Sequence, residues 1–426
     1  MKLSKRIILV SLFAVLAIGL GFIGCSKTTK SSQTVLKILA YGDNSNAEGQ
    51  NFVRIVTAFE KANPDIKVDF ELLYDDAYHS KAKARIASGD IPHVAYFSSD
   101  ARWGGSWREA GQLVDHTPYL NKAHYNLDAF PLQDGKREYV PLGTTNDCTV
   151  LFANKALLDE LGLAMPKTYA DMVAMVPVAK AKGIQVLAVG GAADWVWGSC
   201  VMSAIISRTT GLLDAPEQIL AGKKKVTDAD VVAALDFLTT MVKDGVITSN
   251  AVLVDTQGAV SDFSTKKALF LLGGQWEAGG IVPEIAKDTK LMSFPTIPGE
   301  KASAALSSAG AISVGYGFTK KAVEDGVVEA AVKFLDYFNN DAEVIQRLRD
   351  GAIVAPVTKA AIPNDMPAII NEKVAYGAAG YPSAQVIDSY IQGDPNDLLN
   401  AGMQQIVAGK ATAAEIAAKV QAALNK

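Results

Sequence analysis

Hydrophobic positions in the first part of the chain change repeatedly between two spacings. Apolar residues recur every three or four positions over residues 48–62, which predicts an amphipathic helix that ends before the next proline. They alternate strictly with polar residues over 66–72, which predicts a half-buried strand. Further strands are predicted at 35–40 and 93–97, with a helix at 81–87. This β-α-β-α-β order predicts an open, largely parallel sheet with helices on both faces.

The second half of the chain continues the alternation and marks the starts of its helices. Three helix starts are predicted where a threonine precedes a carboxylate by three positions, the spacing of a capping box: Thr168 and Asp171, Thr227 and Asp230, Thr412 and Glu415. The first of these helices leads to a predicted strand at 184–189. We therefore expect an α/β protein of two lobes.

The N-terminus differs from the rest of the chain, because it holds a long apolar run. Lys2, Lys5 and Arg6 precede an apolar stretch over 7–24, which is the pattern of a secretory signal peptide. The run ends at Cys25, and the sequence around it resembles a bacterial lipobox, which predicts lipidation of that cysteine. The alternatives are an uncleaved membrane helix or cleavage that leaves an unmodified thiol. Residues 25–34 are predicted to be the lipidated cysteine and a flexible tether.

Composition and charge narrow the class of protein. The chain has 426 residues, 49% of them hydrophobic, which excludes a disordered chain and allows two or three domains. A net charge of −4 argues against a nucleic-acid partner. Cys148 and Cys200 form a disulfide or remain two buried thiols, and the sequence leaves both open. We expect an exported protein, periplasmic or at the cell surface and bound to the membrane by its lipid.

Motifs for phosphate binding, zinc proteases, serine hydrolases and dithiol redox sites do not occur in the sequence, and its four histidines share no metal-ligand spacing. We therefore expect no metal, no cofactor and no enzymatic activity. A secreted glycoside hydrolase with two carboxylates stays open as a remote alternative, because 45 acidic residues always offer a pair.

Several stretches resemble, in the same order, the extracellular solute-binding proteins of family 1. They are residues 58–68 (AFEKANPDIKV), 87–94 (ASGDIPHV), 151–155 (LFANK), 166–169 (PKTY) and 273–276 (GGQW). Members of this family are receptors of ATP-binding-cassette importers, most often for carbohydrates. The resemblance covers about residues 35–426, although His93 stands where the family usually has an aspartate.

The resemblance implies a bilobal, periplasmic-binding-protein-like fold, with two open, mostly parallel sheets and helices on both faces. The chain would cross between lobes near 139–146 and 313–318. These crossings predict an N-lobe of residues 35–145 plus 313–352 and a C-lobe of 146–312 plus 353–426. A ligand would bind between hinged lobes, and the closed form would dock on the membrane permease. We expect a monomer.

A sugar site needs aromatic rings that stack on the C–H faces and planar polar groups that pair with hydroxyls. Strand ends, crossovers and all but one of the tryptophans supply the candidate ligand contacts: Asp43, Asn44, Asp76, Asp100, Trp103, Asn146, Asp147, Trp195, Trp197, Trp276, Glu277 and Tyr316. The alternatives are Asx-turn capping for the polar residues and core packing for the rings. Of Trp195 and Trp197, one is expected to face the cleft and the other to pack inward.

The predicted ligand is a neutral sugar of unspecified length. A cationic solute such as a polyamine is the alternative for the same receptor, because it would sit between carboxylates and aromatic rings. Asp43, Asp76, Asp100 and Glu277 could supply those carboxylates.

Overall fold

A computed structural model describes residues 33–144, 146–302, 308–311, 313–352 and 355–426. The predicted signal peptide, Cys25 and nearly all of the tether lie outside these residues. The strands are β1 (Thr34–Tyr41), β2 (Ile66–Leu73), β3 (Val94–Phe97), β4 (Val140–Pro141), β5 (Asn146–Asp147), β6 (Val150–Asn154), β7 (Gln185–Val189), β8 (Ala268–Gly273), β9 (Thr289–Met292), β10 (Ser308–Ala311), β11 (Gly315–Phe318) and β12 (Ser383–Gln385).

The helices surround these strands and fill both lobes. They are α1 (Ala47–Ala62), α2 (Asp76–Ser88), α3 (Ala101–Glu109), α4 (Lys155–Glu160), α5 (Tyr169–Ala181), α6 (Ser203–Thr210), α7 (Ala215–Leu220), α8 (Ala229–Lys243), α9 (Thr256–Ser264), α10 (Pro283–Ala286), α11 (Lys320–Glu324), α12 (Val328–Phe338), α13 (Asp341–Arg349), α14 (Ala368–Ala378), α15 (Ile387–Tyr390), α16 (Asp394–Val407) and α17 (Ala413–Leu424). Short 3-10 turns lie at Thr117–Tyr119, Leu127–Ala129, Ser249–Leu253 and Gln275–Gly280, and a π-helical turn lies at Trp197–Met202.

The two lobes are built on two open sheets, which confirms the predicted bilobal α/β class. The first sheet has the order β2-β1-β3-β11-β4 and the second β7-β8-β6-β9. In the first, β1 pairs in parallel with β2 and β3, while β11 runs antiparallel to β3 and β4. In the second, only β7 and β8 are parallel. The prediction of mostly parallel sheets therefore fails for the second sheet.

A third, small sheet of order β12-β10-β5 joins segments that are distant in the sequence. At the first expected crossing, near 139–146, β4 belongs to the first sheet and β5 to this small sheet. At the second, near 313–318, β11 lies in the first sheet between β3 and β4. Because β1 pairs in parallel with β2 and β3, the carboxyl ends of these three strands lie at one edge of the first sheet, where ligands bind in open α/β sheets.

Local capping explains where most of the predicted helices begin. In α1, the Asn46 side chain accepts a hydrogen bond from the Gly49 N–H, and the helix ends just before Asn63-Pro64 as predicted. The capping boxes at Thr168 and Thr412 are present. The one predicted at Thr227 is wrong, since Asp228 occupies the N-cap position of α8 and its side chain makes no capping hydrogen bond.

The buried hydrophobic residues form two clusters, and the first, which fills the N-lobe, also includes residues of the second sheet such as Phe152 and Leu271. Leu36, Phe52 and Val94 lie in the first, and Leu151 and Leu269 in the second, all with no exposed surface. Cys148 and Cys200 are both buried and no disulfide joins them, so the disulfide alternative is not realised. Among the described helices, none has the length and the apolar composition needed to cross a membrane.

Candidate functional site

A deep cleft lies between the two lobes, at the carboxyl ends of β1, β2 and β3. It holds about 1410 Å³ of empty space, counting the part open to solvent. Residues of both lobes line it, among them six aromatic and five charged side chains. The aromatic and charged lining residues are Tyr41, Glu48, Tyr74, Asp75, Tyr96, Arg102, Trp103, Trp195, Trp276, Glu277 and Asp388.

The N-lobe wall of the cleft is a cluster of aromatic rings in mutual contact. The Tyr41 ring stacks on Tyr96, with centroids 4.9 Å apart and an interplanar angle of 9°. Trp103 meets Tyr41 edge-on at 5.1 Å, and Tyr74 lies 5.2 Å from Tyr41 on another side. Each ring of this wall is therefore held by its neighbours before any ligand arrives.

Trp103 reaches this wall because of the way α3 begins. The Asp100 side chain caps the helix by accepting a hydrogen bond from the Trp103 N–H at 2.8 Å. Trp107, one turn later, is buried in the first core. Residues four positions apart lie on the same side of a helix, so both tryptophans face the first core, with Trp107 buried inside it and Trp103 partly buried at its edge beside the cleft.

The C-lobe wall carries Trp195 and Trp276, whose ring centroids are 6.1 Å apart and tilted by 44°. Trp276 lies in the 3-10 turn Gln275–Gly280, directly after β8. Its ring lies over Gly274, where an added Cβ would approach the ring to 2.1 Å, so this position requires glycine. The Trp276 Nε1–H donates a hydrogen bond to Glu277 Oε1 at 2.9 Å.

Three polar contacts join the two walls directly. Trp195 Nε1 donates a hydrogen bond to Asp75 Oδ2 at 3.2 Å. Arg102 forms an ion pair with Asp388, and the Ser199 hydroxyl donates to the same Asp388 oxygen at 2.6 Å. At the base of α3, the Ser389 hydroxyl donates to Asp100 Oδ2 at 3.3 Å.

Asp75 takes part in this contact at the expense of its own helix. It precedes α2 in the N-cap position but makes no capping hydrogen bond. Its φ of 52° lies in the left-handed region, which is strained for a residue with a Cβ. The structure therefore directs this carboxylate across the cleft to Trp195 instead of to the helix start.

Burial controls the ionisation of the carboxyls in the cleft. Desolvation raises the pKa of Glu48 to about 7, against the lowering effect of the hydrogen bond from Tyr96 and of the charge of Arg347. Desolvation also raises the pKa of Glu277 to about 7, and the hydrogen bond from Trp276 opposes it. The pKa of Asp75 is raised by burial as well. At neutral pH the site is therefore less negative than its carboxyl count suggests.

The structure brings four of the predicted site residues together in the cleft: Trp103, Trp195, Trp276 and Glu277. Trp197 is fully buried and donates its Nε1–H to the Gly191 carbonyl, so Trp195 is the ring of this pair that reaches the cleft. Tyr316 is buried behind the N-lobe wall, 5.1 Å from the Tyr96 ring.

The predicted polar residues occupy other positions. Asp43 accepts hydrogen bonds from the N–H groups of Ser45 and Asn46, which is the Asx-turn alternative. Other candidates lie away from the cleft lining: Asn44 and Asp76 are exposed, while Asp100 and Asp147 are buried. The side chain of Asn146 lies outside the described part of the structure.

Sequence reasoning missed four charged lining residues: Glu48, Asp75, Arg102 and Asp388. Asp75 directly precedes the predicted Asp76, so the strand-end signal was correct to within one residue. No local pattern in the sequence pointed to Asp388 as a site residue, because its partner Arg102 lies 286 positions away in the sequence. In the described segments, no group of three or more His, Cys, Asp or Glu side chains is placed to hold a metal ion.

Comparison with known proteins shows that this chain matches a known protein family. The family model described as bacterial extracellular solute-binding protein matches residues 42–345. The multiple sugar-binding protein of Streptococcus mutans serotype c is 25% identical over 362 residues, which cover 82% of this chain and 82% of that protein. The melibiose/raffinose/stachyose-binding protein MelE of Bacillus subtilis is 27% identical over 166 residues, or 37% of each chain.

Among solved structures, a chitin oligosaccharide binding protein superimposes with a TM-score of 0.79. It is 22% identical in sequence, and the match covers 91% of this chain and 98% of that one. At this identity the likeness establishes the fold. These relatives are named as binding proteins, and the family match confirms the resemblance read from the sequence.

Proposed function

Because this chain belongs to the family of bacterial extracellular solute-binding proteins, we propose that it is the substrate-binding receptor of an ATP-binding-cassette importer. In this role it captures a neutral sugar between its lobes and delivers it to the membrane permease. The names of the relatives in the comparison support the sugar, since they bind multiple sugars, melibiose, raffinose, stachyose or chitin oligosaccharides.

The observation that carries the proposal is the pair of aromatic walls. Trp103 stands on one lobe, and Trp195 and Trp276 stand on the other, across one cleft. A sugar ring offers apolar C–H faces to such rings and hydroxyls to the polar groups beside them. A ligand that touches both walls favours the closed arrangement by its differential affinity, so closure reports that the site is occupied.

The charges in the cleft favour an uncharged ligand over a polyamine. Arg102 is the cationic side chain among the described lining residues. It forms an ion pair with Asp388, whose side chain is 3% exposed. Burial keeps Glu48 and Glu277 half protonated near neutral pH, because it raises the pKa of each to about 7. A dication would instead require these carboxyls to be ionised.

We also propose that the protein binds its sugar without hydrolysing it. Its named relatives are binding proteins, and Arg102 and Asp388 in the cleft lining already form an ion pair with each other. Incubation with an oligosaccharide should return it unchanged by chromatography. Release of shortened products would favour the hydrolase alternative instead.

The decisive experiment is a thermal-shift screen of the purified protein near pH 6. The panel consists of melibiose, raffinose, maltotriose and chitotriose, with putrescine and spermidine as the competing class. A sugar at about 100 times its Kd should stabilise the fold by about 2.7 kcal/mol and raise the Tm by several degrees. If only the diamines raise the Tm, the receptor carries a cation and the sugar proposal is wrong.

Export and attachment complete the proposal. We propose that residues 1–24 are removed, that Cys25 is lipidated, and that the protein is a monomer held at the outer surface of a membrane through residues 25–34. The proposed lobes are 35–145 plus 313–352 and 146–312 plus 353–426. Mass spectrometry of the protein from the native membrane should find acyl chains on Cys25, and a Cys25→Ala variant should leave the membrane fraction. Recovery of an unmodified Cys25 thiol would refute this part alone.

A further inference from the structure

Two carboxyls face the same cleft from opposite lobes, that of Glu277 buried and that of Glu48 half-buried. Glu48 lies in the first turn of α1, and Glu277 lies in the 3-10 turn after β8. Tyr74 stands within electrostatic range of both. Burial, followed by the charges of Glu277, Asp75 and Glu48, raises the pKa of Tyr74. The two carboxyls therefore belong to one space, although they come from different lobes.

Each carboxyl is held in the same way, by one oxygen and an aromatic donor. The Tyr96 hydroxyl donates to Glu48 Oε1 at 2.5 Å, and the Trp276 Nε1–H donates to Glu277 Oε1 at 2.9 Å. Within the described segments neither Oε2 has a hydrogen-bond partner, and neither is fully enclosed by protein. The second oxygen of each carboxyl is therefore available to a ligand.

The surroundings of both carboxyls are mostly neutral. Glu48 has tyrosines around it, Tyr41 on β1, Tyr74 after β2, Tyr96 on β3 and Tyr316 on β11, and the guanidinium of Arg347 on α13 within electrostatic range. Glu277 has Tyr74 and the Cys200 thiol. The nearest cation in the cleft, Arg102, is paired with Asp388. Burial therefore dominates at both carboxyls.

We propose that Glu48 and Glu277 are a pair of protonated carboxyls that donate hydrogen bonds to ligand hydroxyls from opposite lobes, so that ionisation of either weakens binding. The hydroxyl oxygens of a sugar accept these bonds, and each proton stays on its carboxyl throughout. This inference rests on the proposed sugar ligand and adds which protonation state of the site binds it.

The consequence is a pH dependence with a defined sign. A carboxyl that must stay protonated weakens binding about tenfold for each pH unit above its pKa, and both groups have a pKa of about 7. Binding should therefore be constant below neutral pH and fall above it. A polyamine would show the opposite trend, since it binds better as the carboxyls ionise.

Isothermal titration calorimetry between about pH 5.5 and about pH 8.5 tests this. The probe is the one sugar among melibiose, raffinose, maltotriose and chitotriose that raises the Tm most. The variants are Glu48→Gln and Glu277→Gln, because an amide keeps a donor and cannot ionise. The matched control is Asp336→Asn. Asp336 accepts the Tyr125 hydroxyl at 3.1 Å and has a pKa raised by burial, but it lies outside the cleft lining.

The wild-type Kd should rise at least about tenfold over this range. Each Gln variant should bind within about threefold of wild type at the acidic end and at least about threefold more tightly at the alkaline end. Asp336→Asn should follow wild type. A flat wild-type profile, or Gln variants that are weaker at every pH with an unchanged slope, would overturn the inference while sugar binding itself stands.

A measurement without ligand provides a second check. The side-chain ¹³C signals of Glu48 and Glu277, assigned through the two Gln variants, should titrate near neutral pH. Titration of both below about pH 5 would show ionised carboxylates in the working range and would also overturn the inference. Failure of every sugar in the panel to bind at any pH would instead refute the proposed function.

Discussion

The two walls of the cleft use the same kinds of residue but support them differently. On the N-lobe, Tyr74, Tyr96 and Trp103 each lie within 5.2 Å of the Tyr41 ring, centroid to centroid. On the C-lobe, Trp195 and Trp276 contact each other at 6.1 Å. The N-lobe rings stand on strand ends and α3, whereas Trp276 stands on a short 3-10 turn.

The comparison indicates that the two walls differ in what their rings stabilise. The N-lobe wall is a continuation of its core, so it is a preformed surface whose rings stabilise the lobe as well as the ligand. Of the two C-lobe rings, Trp276 is carried on a 3-10 turn, whereas Trp195 lies in the helical segment that leads into the π-helical turn, and both are partly buried against the second hydrophobic cluster. Preorganised surfaces lower the entropic cost of binding, and rings on turns can adapt their position to the ligand.

The largest expected effect is on stability, and it separates the two walls. Trp103→Ala should lower the free energy of unfolding by about 3 kcal/mol, because the ring has contacts with Tyr41, Tyr78, Tyr96 and His79. Trp276→Ala should lower it by less than about 1 kcal/mol. Urea denaturation of the two variants measures both. Equal losses would mean that the walls do not differ in this way.

The next largest expected effect is on sugar affinity, to which the C-lobe wall should contribute independently of the stability of the fold. Trp276→Ala should weaken sugar binding by about 1–3 kcal/mol with the fold intact, as expected for a lost stacking ring. Calorimetry with the best sugar of the thermal-shift panel measures it. Leu253→Ala is the control, because this C-lobe side chain is 78% exposed and outside the cleft lining. Unchanged affinity in Trp276→Ala would remove that ring from the site.

A third prediction concerns the place where the two lobes touch through their backbones. A Cβ at Gly279 would lie 2.9 Å from the Asp350 carbonyl oxygen, so Gly279→Ala should hinder closure and weaken sugar binding by about 1–2 kcal/mol. Gly105→Ala is the control, since a Cβ there meets nothing within 4 Å. Small-angle scattering with sugar present should show a more open Gly279→Ala. If both variants bind and close like wild type, this contact does not limit closure.

The smallest expected effect comes from single hydrogen bonds of the two C-lobe rings. Trp195→Phe removes the bond to Asp75 across the cleft, while Trp276→Phe removes a bond to Glu277 within the same lobe. Losing the bond between lobes should weaken closure, and therefore sugar affinity, by about 1 kcal/mol. Losing the bond within the lobe should shift the pH dependence of binding instead. Identical pH profiles for the two variants would contradict this distinction.

The sequence predicted the types of the site residues better than their positions. Tryptophans and carboxylates were expected at strand ends, and Trp276 and Glu277 follow β8 as the pattern indicated. Asp43 and Asp100 were also at strand ends but serve as local caps, because an aspartate there satisfies free N–H groups of the next turn or helix. Sequence spacing does not distinguish these two uses of a carboxylate.

Local spacing and capping residues predicted most of the helices and strands, and the resemblance of short motifs predicted the family, because these signals act within a few positions of each other. The choice between neighbouring candidates was made only by the tertiary structure. Trp195 rather than Trp197 reaches the cleft, since a π-helical turn begins at Trp197 and buries it. Asp388 meets Arg102 only because segments 286 positions apart in the sequence pack against each other, and no local pattern records where such distant segments will touch.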